Sequence, residues 1–199
     1  MAADKTAQRP TVSATKLRLR WLGIVVAVMA LLTAGWPLLD KAVADQHPLA
    51  AGSRLTVGAS PSSGVVTVGP GWSLLSAQSN PTQGYLLQRG NLNLSIMHVG
   101  LVDREQLPQM WRDLLRLLSV SNPGIRLSKP AFITTAHGLH AVTGGVTGSR
   151  QIGTATIVRA PSGNFGIEMV ALAPRRTSPA MHAAAARVIF SLMFLAHGT

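Results

Sequence analysis

The apolar positions of this chain follow different periods in different stretches. Residues 21–39, WLGIVVAVMALLTAGWPLL, carry no charge at all. A helix of that length, at ~1.5 Å of rise per residue, spans roughly 28 Å, close to the hydrocarbon thickness of a bilayer. Beyond it the pattern shortens. Residues 54–59 (RLTVGA), 65–68 (VVTV), 85–87 (YLL) and 92–99 (LNLSIMHV) are short apolar or β-branched runs bounded by turn residues, and they predict strands. Ser60 to Gly64 is a turn cluster, and Arg89-Gly90-Asn91 joins the second pair of runs.

The period then becomes helical. In residues 103–120, DREQLPQMWRDLLRLLSV, the residues Leu107, Met110, Trp111, Leu114, Leu115, Leu117 and Leu118 fall on one side. Arg104, Glu105, Arg112, Asp113 and Arg116 fall on the other. Asp103 is the expected N-cap, Pro108 sits in the first turn where its missing N–H is tolerated, and Asn122-Pro123-Gly124 stops the helix. Its apolar stripe reads as a lid on a sheet. Strand period returns at 125–132, 139–147, 151–159 and 165–172, with tight connections that make these an antiparallel meander. In the last pair Ile152, Thr154, Thr156 and Val158 share one face, as do Phe165, Ile167, Met169 and Ala171. Gly144-Gly145 is expected to mark a bulge or a break. Ser178-Pro179 opens a final helix whose buried stripe is Met181, Ala184, Ala185, Val188, Ile189 and Leu192. The predicted fold class is α+β: an N-terminal transmembrane helix, then a mostly antiparallel sheet packed with two helices.

Charge orients the apolar run. Five basic residues stand before it against Asp4 alone, a net +4 over residues 1–20. Asp40, Lys41 and Asp45 follow it at −1. The positive-inside rule puts the N-terminus in the cytoplasm and the rest across the membrane. The predicted organisation is a basic tail over 1–20, a signal anchor over 21–39, a linker over 40–52 and an extracytoplasmic domain over 53–199. A cleaved signal peptide ending at Ala42-Val43-Ala44 is the rival reading. The length of the run and the charges at Asp40 and Lys41 favour the anchor. Either way residues 45–199 are exported, with a net charge of +7. The chain has no cysteine, so neither a disulfide nor a thiolate enters the argument. The arginines are scattered and are not interleaved with aromatics, which argues against nucleic acid as a partner.

The string Val66-Thr67-Val68-Gly69-Pro70-Gly71-Trp72 resembles the V-x-V-P-x-G-W opening of PsbP-like domains. The order of elements over roughly 54–195 is similar to theirs and to that of the related LpqN-type lipoproteins of actinobacteria. Two departures stand out: there is no lipobox cysteine, and the proline is displaced by one position. The resemblance implies a non-catalytic accessory or binding domain at a membrane surface; read from the residues alone, Gly69, Pro70 and Gly71 form a turn and Trp72 is core. The resemblance transfers no functional residue.

Catalytic chemistry finds little support. His137 and His140 are the one close histidine pair, and residues three apart on a strand point to opposite faces, a poor chelate. Glu168 alternates with Ile167 and Met169 and is expected on the opposite, solvated face, paired with an arginine such as Arg159 or Arg150. No G-x-S-x-G, S-x-x-K, H-E-x-x-H or G-x-x-x-x-G-K motif occurs. The expectation is therefore no enzyme, no cofactor, no metal and no assigned site residue. The partners expected are a lipid bilayer, other envelope proteins, and a small apolar ligand in a groove beside the Leu/Met/Trp helix. The alternatives are a small envelope hydrolase using His137 or His140 with Glu168, and a secreted ligand-binding protein.

Overall fold

The strand Phe165–Pro174 (β11) lies at the centre of a large sheet, and its sequence says why. FGIEMVALAP is apolar on both sides of the strand alternation, and seven of its ten residues are buried. That composition suits a strand covered on both faces. A computed structural model describes residues 46–101, 106–121, 123–135 and 137–195. The tail, the apolar run 21–39 and its flanks lie outside these residues. Among the described residues no helix is long and apolar enough to cross a membrane.

The strands are β1 (Gln46–Pro48), β2 (Ser53–Val57), β3 (Gly64–Val68), β4 (Ser73–Leu75), β5 (Gly84–Arg89), β6 (Leu92–Gly100), β7 (Arg126–Leu127), β8 (Ala131–Thr134), β9 (His140–Thr147), β10 (Gln151–Arg159), β11 and β12 (Met193–Phe194). The helices are α1 (Leu107–Ser121) and α2 (Pro179–Phe190). The main sheet runs β1-β4-β5-β6-β11-β10-β9-β7, with β8 also paired to β9, and every pairing is antiparallel. A second sheet, β12-β3-β2, is small.

Two hydrophobic clusters lie on opposite faces of the main sheet. Met110, Trp111 and Leu114 of α1 meet Val142, Val146, Ala155, Ile157 and Val170. On the other face α2 and the small sheet cover Ile167, Met169, Ala171 and Val158. The faces predicted for β10 and β11 are the ones observed, and Trp72 is buried as expected. Ala184 and Ala185 of α2 are buried, and their small side chains let the helix approach the sheet closely. The structure is thus a mostly antiparallel sheet sandwiched between one helix and a helix-plus-sheet layer.

Several expectations are corrected. Residues 46–48, assigned to the linker, form an edge strand, and Gln46 Nε2 donates to Gln88 Oε1 at 2.6 Å. The 125–132 run is two strands, β7 and β8, separated at Ser128 to Pro130, where Pro130 cannot donate to a ladder. The last helix ends at Phe190. Leu192 is buried after the helix end, and Met193 and Phe194 pair with Val65 and Gly64. The described part of α1 begins at Leu107, so the proposed cap at Asp103 lies outside the described residues.

Gly144-Gly145 is neither bulge nor break. The β9–β10 register runs through it without interruption. Its reason is a close approach: a Cβ at Gly144 would stand 2.9 Å from Cζ2 of Trp111 and 3.0 Å from Cη2. The glycine makes room for the indole of α1.

Candidate functional site

Side chains alternate along the strands, so the residues sharing the α1 face follow from the cluster members. Ile157, Val142 and Val170 lie there, hence so do Arg159, His140 and Glu168. The helix α1 covers this face over β9 and β10 and leaves the β5–β6 side open. A groove of about 290 Å³ results, between Leu114, Leu117 and Leu118 of α1 and Leu86, Met97 and Val170 of the sheet. This is the groove expected beside the Leu/Met/Trp helix. Glu168 is half-buried in its floor, opposite Ile157 in the strand register. Leu117 is 60 % exposed and Val120 82 % exposed, so the apolar stripe of α1 extends beyond what the sheet covers.

Larger cavities lie at one end of the sandwich, at the turn joining β10 to β11. That turn is held by Ala160, whose N–H donates to the Phe165 carbonyl at 3.0 Å, and by Gly163, whose φ of 74° suits a residue without Cβ. The Ser162 hydroxyl bonds Asn164 Oδ1 within it. Beside it the 135–139 turn is closed by Thr135, whose N–H reaches the Leu139 carbonyl at 2.9 Å and whose hydroxyl accepts from Leu139 N–H. The two turns and the β12 segment enclose an apolar lobe of about 620 Å³, lined among others by Pro61, Leu139, Phe165, Met193, Phe194 and Leu195. An adjoining lobe of about 690 Å³ has a different lining, with Gln106, Phe132, His140 and Arg159. The lobes share Leu139, Ala160 and Pro161, so they form one cleft with an apolar half and a cationic half.

The apolar half is well built. Phe165 stacks on His98 with ring centres 5.2 Å apart and meets Phe194 edge-on at 5.2 Å. Phe132 is 63 % exposed at the cleft mouth. Both volumes fall in the ~300–1,000 Å³ range of ligand pockets.

The structure does not assemble the hydrolase alternative. His137 lines the apolar lobe, His140 the cationic one, and Glu168 the separate α1 groove. His140 and Glu168 lie two strands and about two residues apart, on the order of 11 Å by strand geometry. Met110 fills the space between them: a Cβ at Gly166, which lies between those positions, would meet its Cε at 2.8 Å. Among the described residues no group of three His, Asp or Glu side chains is placed to hold a metal.

The end cleft was not foreseen in the sequence, because its walls come from segments scattered between Pro61 and Leu195.

No family model matches the sequence, and no curated protein matches it either. Solved structures do. Cyanobacterial PsbP (CyanoP) from Synechocystis sp. PCC 6803 superposes with a TM-score of 0.54 at 10 % identity, over 74 % of this chain and 95 % of that one. The Ran-binding protein Mog1p of Saccharomyces cerevisiae gives 0.48 at 11 % identity, over 72 % and 96 %. LpqN of Mycobacterium tuberculosis, described as involved in cell envelope biogenesis, gives 0.46 at 20 % identity, over 69 % and 87 %. The fold is the PsbP-like sandwich that the V-T-V-G-P-G-W string suggested.

Proposed function

We propose that this chain is a single-pass, N-in membrane protein whose exported domain is a non-catalytic binding module that takes a small apolar ligand in its end cleft. The observation carrying this reading is the lobe of about 620 Å³, open to solvent and walled by Leu139, Phe165, Phe194 and Leu195. A cavity of that size and lining is what binding sites for apolar ligands present. The anchor half of the reading rests on the charge-free run 21–39 and the +4 before it. The binding half also fits the absence of any nucleophile motif in the sequence.

The test uses the full chain in phosphatidylcholine nanodiscs carrying a trace of a long-chain alkyl probe with a diazirine. After illumination, labelled peptides are read by mass spectrometry. Labelling within the domain is expected to concentrate at 137–139 and 193–195. Leu195→Trp, which fills the lobe, is expected to reduce it, whereas Val120→Trp on the open side of α1 leaves it unchanged. Labelling spread evenly over the domain, or indifferent to Leu195→Trp, would refute the binding module. Loss of the chain from membranes on carbonate washing, or a mature N-terminus at Asp45, would refute the anchor.

A further inference from the structure

Arg159 lines the cationic lobe, one residue before the Ala160 and Pro161 that both lobes share. It is the last residue of β10 and is half-buried, and its Nε is shut off from solvent without a hydrogen bond. The guanidinium packs on the β10–β11 turn: a Cβ at Gly163 would come within 2.6 Å of its Nη2. Among the described residues no carboxylate lines either lobe. An arginine lining a cleft in which no described residue offers a carboxylate is set to receive an anion, and its planar fork matches a carboxylate or a phosphate. His140 and the amide of Gln106 add donors to the same lobe. The apolar lobe begins where the cationic one ends, at Leu139, Ala160 and Pro161.

From this juxtaposition we infer that the ligand is an anionic single-chain amphiphile. Its acyl chain lies against Phe165, Phe194 and Leu195, and its carboxylate or phosphate headgroup sits on Arg159. The inference rests on the reading that the end cleft takes an apolar ligand, and it adds the charge and placement of the head. A neutral head can accept a hydrogen bond from the guanidinium but brings no charge, whereas an acidic one also supplies a countercharge that no described residue of either lobe gives.

The experiment compares matched diazirine probes of one chain length in the same nanodiscs: a fatty acid, an alkyl phosphate and a fatty alcohol. At equal loading the two acidic probes are expected to label 137–139 and 193–195 about tenfold more than the alcohol, as one charged hydrogen-bonded contact would give. Arg159→Gln is expected to remove that difference while the alcohol's labelling stays as it was. Arg159→Lys, which keeps the charge without the fork, is expected to restore part of it and serves if the glutamine variant does not fold. Equal labelling by acids and alcohol in the wild-type chain would overturn the headgroup assignment and leave the apolar site standing. No labelling of the cleft by any probe would overturn both. Displacement of the fatty acid by inorganic phosphate alone would make this a free phosphate site and overturn the amphiphile.

Discussion

The contact between Trp111 and Gly144 offers a quantitative test of how α1 is seated. Gly144→Ala puts a methyl 2.9 Å from Cζ2 and 3.0 Å from Cη2 of the indole, well inside ordinary van der Waals separation. Trp111 is 5 % exposed, so the indole is held among packed neighbours. Overpacking of this kind costs ~1–3 kcal/mol. For a chain of this size that is a fall in Tm of roughly 2–12 °C. The same methyl also lies 2.9 Å from Ser128 Oγ, which accepts the Gly145 N–H, so a second cause of strain must be separated out. Trp111→Phe removes the outer ring of the indole and leaves Ser128 in place. Alone it costs less than the ~3–5 kcal/mol of a full truncation to alanine. Combined with Gly144→Ala, the methyl occupies part of the space the outer ring has vacated. The two changes are then expected to be sub-additive by ~0.5–3 kcal/mol. Urea unfolding of the four chains, followed by far-ultraviolet circular dichroism in one nonionic detergent, closes the cycle. Additivity within ~0.5 kcal/mol would refute the claim that the glycine exists to admit the indole, and would assign the strain to Ser128 instead.

Tyr85 is the one tyrosine of the sequence, and burial holds its phenol above the ordinary value of 10.0. Its folded-state pKa is raised, so its contribution to stability is complete below pH ~10 and is lost as pH rises through the folded pKa. Phenolate absorbance should therefore titrate late in the folded chain. Tyr85→Phe, which also forfeits the 2.9 Å bond to the Thr56 carbonyl, should flatten the alkaline fall in stability; an unchanged alkaline limb contradicts this. Ser191 ties the end of α2 to β3 by accepting the Thr67 N–H at 2.8 Å and donating to the Val188 carbonyl at 2.7 Å. Ser191→Ala is expected to cost ~0.5–1.5 kcal/mol and to speed amide exchange at Thr67, with unaltered exchange counting against the link. On α1, Leu117→Asp should change stability by no more than ~0.5 kcal/mol, whereas Leu114→Asp buries a carboxylate and should cost at least ~3 kcal/mol. Comparable losses for the two would mean that the helix is rotated from the position described.

Long periodic elements were legible. The stripe of α1, the alternation of β10 and β11 and the small-residue face of α2 each follow from burial on one side of a regular element, which spacing records directly. Short elements were not. β1, β4 and β12 are two or three residues long, and each exists because a neighbouring strand offers an open edge. Nothing local in QHP or MF distinguishes them from linker or helix. Gly144-Gly145 failed for a related reason: the residue that explains it, Trp111, is 33 positions earlier in the chain.

The same logic explains why the α1 groove was anticipated and the end cleft was not. A groove beside an amphipathic helix is implied whenever the apolar stripe is wider than the sheet strip it covers, and the apolar positions from Leu107 to Leu118 made that plain. The end cleft has no such signature. Pro61, Leu139, Ala160 and Phe194 belong to four separate connections or strand ends, and their meeting depends on the antiparallel order β9-β10-β11 and on β12 docking to β3. One trace was present in the sequence. Arg159 follows the run Ala155 to Val158, in which every residue is buried, and stands one residue before a Pro-Ser-Gly-Asn turn. A cation carried to the mouth of a central strand by a fully buried segment has little freedom to reach bulk water. That rigid approach made Arg159 a stronger candidate than the His137–His140 pair, because chemistry at a site requires convergence from separate elements, which proximity in sequence does not supply.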